Sequence, residues 1–426
     1  MTGQYSPKTA ESRKGAMKKI VNYGGVLSFT VALLMAAPVA RSAVLVQCPG
    51  DDDGDAVIDQ TDPQRPNAKC MHLVASDGFS NMADGRLQYI FGFKDITGTA
   101  PEDAVDQGLL GAQISAPTIE LKEGQEFFLS LTNAGFTQRP DLFDGHTVHF
   151  HGFPNASSVF DGVPDASIAV NMGATLTYYY NIKEPGTYLY HCHVEAAEHM
   201  QMGMIGNLFV RPAQDGQAIE FPPGSGRVYT KFAYNDGDGS TGYDVELPLQ
   251  LTGFDPEFHD ANMNTQPLPF AAMKDTYALF NGRGYPMTVQ DENYYDLNPG
   301  VAQTENATPI NPNGQNSQPV SSRAEVLSGQ RLLVRITNVS TTGFYTVMAL
   351  GLPMEVVAQG AKELQEKYRT ASVNLGGGES IDVIIDTQGV SPGSYFMYIT
   401  ELNELSNDQQ SFGGAMTEIV VKPPAI

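Results

Sequence analysis

Two stretches of this 426-residue chain repeat each other at a fixed offset, and that repeat limits the possible folds more than any other feature. Glu120, Gly124, Gln125, Thr132 and Asn133 recur as Glu325, Gly329, Gln330, Thr337 and Asn338, always 205 positions further on. Pro185-Gly186-Thr187-Tyr188 recurs as Pro392-Gly393-Ser394-Tyr395, 207 positions further on. Internal similarity of this kind means one structural unit built twice. Within each copy, short apolar runs alternate with clusters of Gly, Pro, Asn and Asp. Residues 118–122 and 126–131 read as strands, as do 176–180 and 187–190, and the spacing predicts an all-β chain made of two β-sandwiches. The expected domains are 72–212 and 226–426, joined by a linker at 213–225, with a long surface loop at 301–322. The 43 glycines and 27 prolines suit turn-rich β architecture rather than long helices.

The segment ahead of the sandwiches carries different information. Lys14, Lys18 and Lys19 precede an apolar stretch from Val26 to Ala37, followed by small residues at Ala40, Ser42 and Ala43. Residues 1–43 therefore read as a secretory signal, too short for a membrane span, and no other stretch reads as a membrane helix. The mature chain is expected in the periplasm or outside the cell, where disulfides persist. The full chain has a net charge of −23; loss of Lys8, Arg13, Lys14, Lys18, Lys19, Arg41 and Glu11 takes it to −28. Such acidity argues against a nucleic-acid partner, because phosphate contacts need Lys and Arg, and it suits cationic substrates. Residues 44–71 hold Asp51, Asp53, Asp55, Asp59 and Asp62, carboxylates spaced to wrap a Ca2+ ion, with Gly54 allowing the tight turn. This run resembles the aspartate-rich calcium repeats of thrombospondin type 3, with Ala56 where the repeat usually has Gly. A bland alternative is an exposed acidic linker. Cys48 and Cys70 flank the loop and are expected to pair. A lipid-anchor reading of Leu45-Val46-Gln47-Cys48 fits poorly at Gln47. Cys192 is left as the unpaired thiol.

Six of the eight histidines surround that thiol in sequence. One cluster is Gly145-His146-Thr147-Val148-His149-Phe150-His151-Gly152; the other runs Tyr190-His191-Cys192-His193 to His199, Gly203 and Met204. A thiolate, two imidazoles and a weak thioether make a blue-copper electron-transfer site, and His146, Cys192, His199 and Met204 supply that set. Strand alternation adds a second environment. His149 and His151 share one strand face, with His146 on the other; His191 and His193 share the face opposite Cys192. Two copper environments joined by the Cys192 backbone follow. Zinc does not call for a Met-containing loop or for paired His-x-His strands. Nothing else near Cys192 supports a hydrolase nucleophile.

These elements are similar to those of multicopper oxidases in the cupredoxin superfamily, and the likeness covers both halves of the chain. It implies two tandem cupredoxin-like Greek-key β-sandwiches, the first holding copper and the second metal-free. It carries the type 1 copper onto His146, Cys192, His199 and Met204, and type 2 and type 3 copper onto His149, His151, His191 and His193. Asp161-Gly162-Val163-Pro164 resembles the family segment whose acid delivers protons to dioxygen. The resemblance implies that a small reductant or redox protein gives electrons through an exposed His199, that Cys192 relays them, and that O2 becomes water. Phenols or low-valent metal ions are the expected reductants, with Glu195 and Glu198 guiding a cation. Copper, with Ca2+ in the acidic loop, makes up the expected cofactor set.

Two departures qualify the match. Seven positions separate Cys192 from His199, where common three-domain relatives have five. The family's cluster takes eight histidines, and this chain supplies four: Tyr398-Ile399-Thr400 replaces His-Cys-His in the second half, and His72 and His259 read as structural or surface residues. Either the other four come from a second chain, which predicts a homo-oligomer with two first domains facing each other, or the cluster is not complete. A non-enzymatic type 1 copper carrier is the alternative. A copper nitrite reductase is a weaker one, since such enzymes place Asp where His149 stands and lack a His after the Cys.

Overall fold

The computed structural model describes residues 46–153, 156–290 and 317–424. The expected signal at 1–43 and positions 301–316 of the expected loop lie outside the described residues. Positions 317–322 are largely packed against the body: Ser317 accepts from the Ile114 amide, and Gln318 donates to the Asn81 and Gly282 carbonyls.

The first sandwich comprises β1 (Ala68–Asn81), β2 (Leu87–Asp95), β3 (Ala116–Lys122), β4 (Glu126–Gly135), β5 (His149–His151), β6 (Thr175–Asn181), β7 (Gly186–His191) and β8 (Ile205–Arg211). One sheet runs β2-β1-β4-β6 and the other β3-β8-β7-β5. The period-2 pattern of β6 shows why: Tyr178 and Tyr180 turn inward and are buried, while Tyr179 packs outside on Phe128. They join Leu73, Phe91, Leu129, Tyr190 and Leu208 in a single core. A short hairpin of β9 (Ile219–Glu220) and β10 (Val228–Tyr229) leads onward.

The second sandwich is larger. It comprises β11 (Val245–Phe254), β12 (Tyr277–Phe280), β13 (Ala324–Leu327), β14 (Arg331–Asn338), β15 (Tyr345–Ala349), β16 (Met354–Gln359), β17 (Lys362–Thr370) and β18 (Ser372–Leu375). It continues with β19 (Ser380–Asp386), β20 (Gly393–Ile399), β21 (Ser406–Asn407), β22 (Gln410–Ser411) and β23 (Met416–Lys422). An eight-stranded sheet, β17-β16-β19-β14-β11-β12-β21-β22, faces a five-stranded one, β13-β23-β20-β15-β18.

The repeated residues do the same work in both copies. Gln125 accepts from the Lys122 amide at 2.7 Å and Gln330 from the Leu327 amide at 2.8 Å, across turns in which Gly124 and Gly329 have φ of +86° and +97°. Asn133 and Asn338 each accept a bond from an amide two residues on and donate to two carbonyls of neighbouring segments. Tyr188 and Tyr395 each donate from the phenol to a carbonyl four residues back.

Among the described residues three short α-helices complete the fold: α1 (Ala104–Gly108), α2 (Ala196–Met202) and α3 (Pro256–Met263). Asp255 caps α3 by accepting from the Glu257 and Phe258 amides, and Pro256 opens its first turn. Although α3 follows β11, it packs on the first sandwich: Phe258 enters that core, and His259 donates from Nδ1 to the Tyr89 carbonyl at 2.6 Å. Of the two roles expected for them, structural or surface, His259 and His72 take the structural one: His259 is fully buried on a helix, and His72 is likewise buried, bonded to Thr132.

The two sandwiches share an apolar seam in which Leu189 and Ile205 meet Phe254, Leu279 and Val339. Beside it Arg335, fully buried, lies between Glu246 and Asp382, and Asp382 accepts from the Thr187 hydroxyl at 2.6 Å. Among the described residues no helix is long and apolar enough to cross a membrane.

Candidate metal centre

The candidate centre is built on β7. Alternation sends Tyr188, Tyr190 and Cys192 into the core of the first sandwich and turns Leu189 and His191 to the outer face, toward the second sandwich. Strand β5 pairs antiparallel with β7, setting His149 opposite His191, and its buried Phe150 turns His149 and His151 outward. One sheet thus carries donor groups on both faces.

On the inner face, Cys192 Sγ lies 3.2 Å from His199 Nδ1 and 3.7 Å from His146 Nδ1, and all three residues are fully buried. His146 reaches this side from a bridge with Val170 rather than from β5 itself. The long spacing to His199 is absorbed by α2, which winds the chain back so that His199 faces Cys192. Gly203, at φ +115°, then turns the backbone into β8; a Cβ there would fall 2.8 Å from the Phe91 carbonyl. That turn seats Met204 beside Cys192, whose amide donates to the Met204 carbonyl at 3.1 Å. Met204 and Met202 lie in the first core, whereas Met200 packs against the seam between sandwiches.

This donor set fits a copper ion. Two nitrogens and a sulfur at these separations can all reach one ion at ligand distances of about 2.0–2.3 Å. The other ring nitrogen of His146 is buried without a hydrogen-bond partner, and that of His199 has only the Asp144 carboxylate near it, at 3.7 Å, so the core is shaped around the donors rather than around a hydrogen-bond network. Burial holds His146 well below the ordinary histidine range. Burial also opposes charge on His199, yet the Cys192 sulfur and the Asp144 carboxylate together raise it to about 10.

On the outer face, ligand atoms of His149, His151 and His191 lie within 4.8 Å of one another, and the Nε2 atoms of His151 and His191 are 3.0 Å apart. Each ring is oriented by a carbonyl that accepts from its Nδ1: Asp161 for His149 at 2.6 Å, Cys192 for His191 at 2.7 Å and Gly378 for His151 at 3.2 Å. With Nδ1 protonated, Nε2 is left bare, which is the arrangement of a metal-binding imidazole. Burial pushes His191 down to about 3 and lowers His151, keeping both neutral and able to ligate. The His193 ring stands 5.0 Å from that of His149, and its amide donates to Thr147. Asp161 contributes its carbonyl, and its carboxylate comes within 3.7 Å of His149 Nδ1.

Two multicopper oxidase family models match this chain, over residues 101–215 and 273–421. The chain belongs to the multicopper oxidase family. An L-ascorbate oxidase from Cucurbita pepo var. melopepo is 24% identical over 296 residues, covering 68% of this chain and 46% of that one. This multicopper oxidase chain thus spans about half the length of that relative. Among solved structures, a blue copper oxidase from Nitrosomonas europaea superposes with a TM-score of 0.59 at 20% identity, over 82% of this chain and 85% of that one. The multicopper oxidase mgLAC gives 0.58 at 18% identity, over 83% and 86%. These likenesses establish the cupredoxin sandwich fold.

Two placements differ from expectation. His199 is fully buried instead of exposed, because α2 and α3 are latched together over it. Glu198 is buried too, accepting from Asn262 of α3 at 2.6 Å, and Arg139 donates to the Asn262 carbonyl. The acids that do approach the His199 ring are Glu195 and Asp144, the latter 3.7 Å from Nε2. Asp144 stands two residues before His146, and nothing in its sequence context distinguishes it from other loop acids.

The acidic loop is closed by the Cys48–Cys70 disulfide, which also rules out a lipid on Cys48. Asp51, Asp53 and Asp59 bring carboxylates within 4.8 Å of one another. Asp55 and Asp62, expected as ligands too, lie outside that group; like the other three they accept from backbone amides, here those of Val57 and Gln64.

Proposed function

We propose that this chain is an exported multicopper oxidase that removes single electrons from a metal-ion or phenolic reductant and passes them to O2, forming water. The observation that carries this reading is the sheet itself. Inner and outer donor sets occupy opposite faces of β7, and the His191 ring donates directly to the carbonyl of Cys192, so a covalent and hydrogen-bonded path links them. Copper, bound at both sets, supplies the one-electron redox chemistry. The chain's own residues hold the His151 and His191 imidazoles neutral, exclude water from Cys192 and position acids at both ends. Asp144 and Glu195 lie where a cationic reductant would stop beside His199. The Asp161 carboxylate, about one-third exposed beside His149, stands where a group that passes protons to oxygen is needed. A carrier needs only the inner set; the three oriented imidazoles outside it favour the oxidase.

The outer set holds four histidines of the eight that the family resemblance calls for, and His149, His151 and His193 keep part of their surface open. A second copy of the chain completes it in this reading. The Asp51, Asp53 and Asp59 loop holds Ca2+ in the same reading. The deciding experiment is copper stoichiometry with visible and EPR spectra on the purified oligomer. A blue band, a type 2 signal and about five coppers per pair of chains, one inner ion in each chain and the rest at the shared cluster, support the oxidase. One blue copper per chain and no O2 consumption would leave a carrier.

A further inference from the structure

We infer that Gly378, in the sandwich without metal ligands, is a positioning residue for His151 and thereby for the outer copper set; the copper part of this rests on the oxidase reading above. Two of the three carbonyls that orient the outer imidazoles come from the first sandwich, at Asp161 and Cys192. The third comes from Gly378 in the second. A carbonyl can only accept, so this contact puts the His151 proton on Nδ1 and leaves Nε2 for a metal.

The second sandwich holds that carbonyl in place from several sides. The Gly378 amide donates to Asn338, whose own amide donates to Glu379. The Glu379 carboxylate in turn accepts from Gly376 at 2.6 Å. Asn338 is the repeated asparagine, and its side chain also fastens Leu375. Immediately afterwards β19 is registered on the copper strand: the Ser380 hydroxyl donates to the Thr187 carbonyl, and Asp382 accepts from the Thr187 hydroxyl. Only glycine meets both demands at 378. Its φ is +88°, and a Cβ would lie 2.7 Å from both Cε1 and Nδ1 of His151. The loop between β18 and β19 thus sets the ring that the first sandwich supplies.

The test uses two glycine variants of the full chain. Gly378→Ala adds the Cβ that meets His151. Gly389→Ala places alanine at a similar φ, +79°, with nothing within 4 Å, and so reports backbone strain alone. Ring-nitrogen NMR of the copper-free wild type is expected to show His151 protonated at Nδ1. Gly378→Ala should shift the His151 signals most, with a smaller shift at His191, whose Nε2 is 3.0 Å away, while His149 and His191 keep their Nδ1 protons. On loading, it should weaken copper binding at the outer set by about 10–100-fold while the blue band of the inner set is kept. Gly389→Ala should change neither. The inference is overturned by an Nε2-protonated His151 in the wild type, or by a Gly378→Ala protein with unchanged His151 signals and wild-type copper content. The wild-type tautomer decides the matter if the variant does not fold. It also decides it if the wild type binds no outer copper, an outcome that would overturn the oxidase reading instead.

Discussion

Cys192 is the residue through which both donor sets communicate, since its sulfur faces the inner imidazoles and its carbonyl holds the His191 ring. Cys192→Ser is expected to abolish the blue charge-transfer band while leaving His149, His151 and His191 able to bind copper; visible and EPR spectra of the loaded variant check this. Asp144→Ala removes the acid closest to His199 Nε2. It should raise KM for cuprous or ferrous ion by about tenfold, equivalent to roughly 1.4 kcal/mol, and leave KM for an uncharged phenol unchanged. The two residues differ in how well the sequence announces them. Cys192 and its six histidines were legible because strand alternation and metal chemistry fix which residue types stand at which spacing. Asp144 and Gly378 were not, because each acts on a ring brought to it by the fold: 55 and 227 positions separate them from His199 and His151.

At the scale of elements, the cover over the inner site is the feature that sequence patterning misses. Helix α2 is short, and its burial comes from α3, which a reading by repeats assigns to the other half of the molecule. The contact is polar: Asn262 joins Glu198 on one side and Arg139 on the other. Asn262→Ala leaves the Glu198 carboxylate buried without that partner, at an expected cost of about 1–3 kcal/mol. Urea unfolding of the copper-free protein should show a lower midpoint with an unchanged slope. The sandwiches themselves were readable in the sequence. The residues that recur at 205 positions are turn-formers whose hydrogen bonds are the same in both copies, as Gln125 with Gln330 and Asn133 with Asn338 show. The enlargement of the second copy to an eight-stranded sheet left no such mark, since its added strands do not recur in the first.

For the whole molecule, stability and pH are coupled through histidines that the fold keeps neutral. Burial holds His259 at about 4, below its unfolded value near 6.5. The unfolded chain therefore binds a proton first as pH falls. The stability due to this group is fully present above pH 6.5 and is lost between about 6.5 and 4, by up to about 3 kcal/mol. His191, at about 3, acts with the same sign. Buried Asp77, Asp275 and Asp382 have raised values and act with the opposite sign. The prediction is accordingly a difference: between pH 7 and 4.5, copper-free wild type should lose more stability than His259→Gln, measured by denaturant unfolding at each pH. The sheet that divides the two donor sets has a further consequence in the oxidase reading. It is a partition only one strand thick, crossed by a single peptide. The radical or oxidised ion left by the reductant is released on one side, and dioxygen is handled on the other. Electrons cross the partition while the two reactive chemistries are kept from mixing.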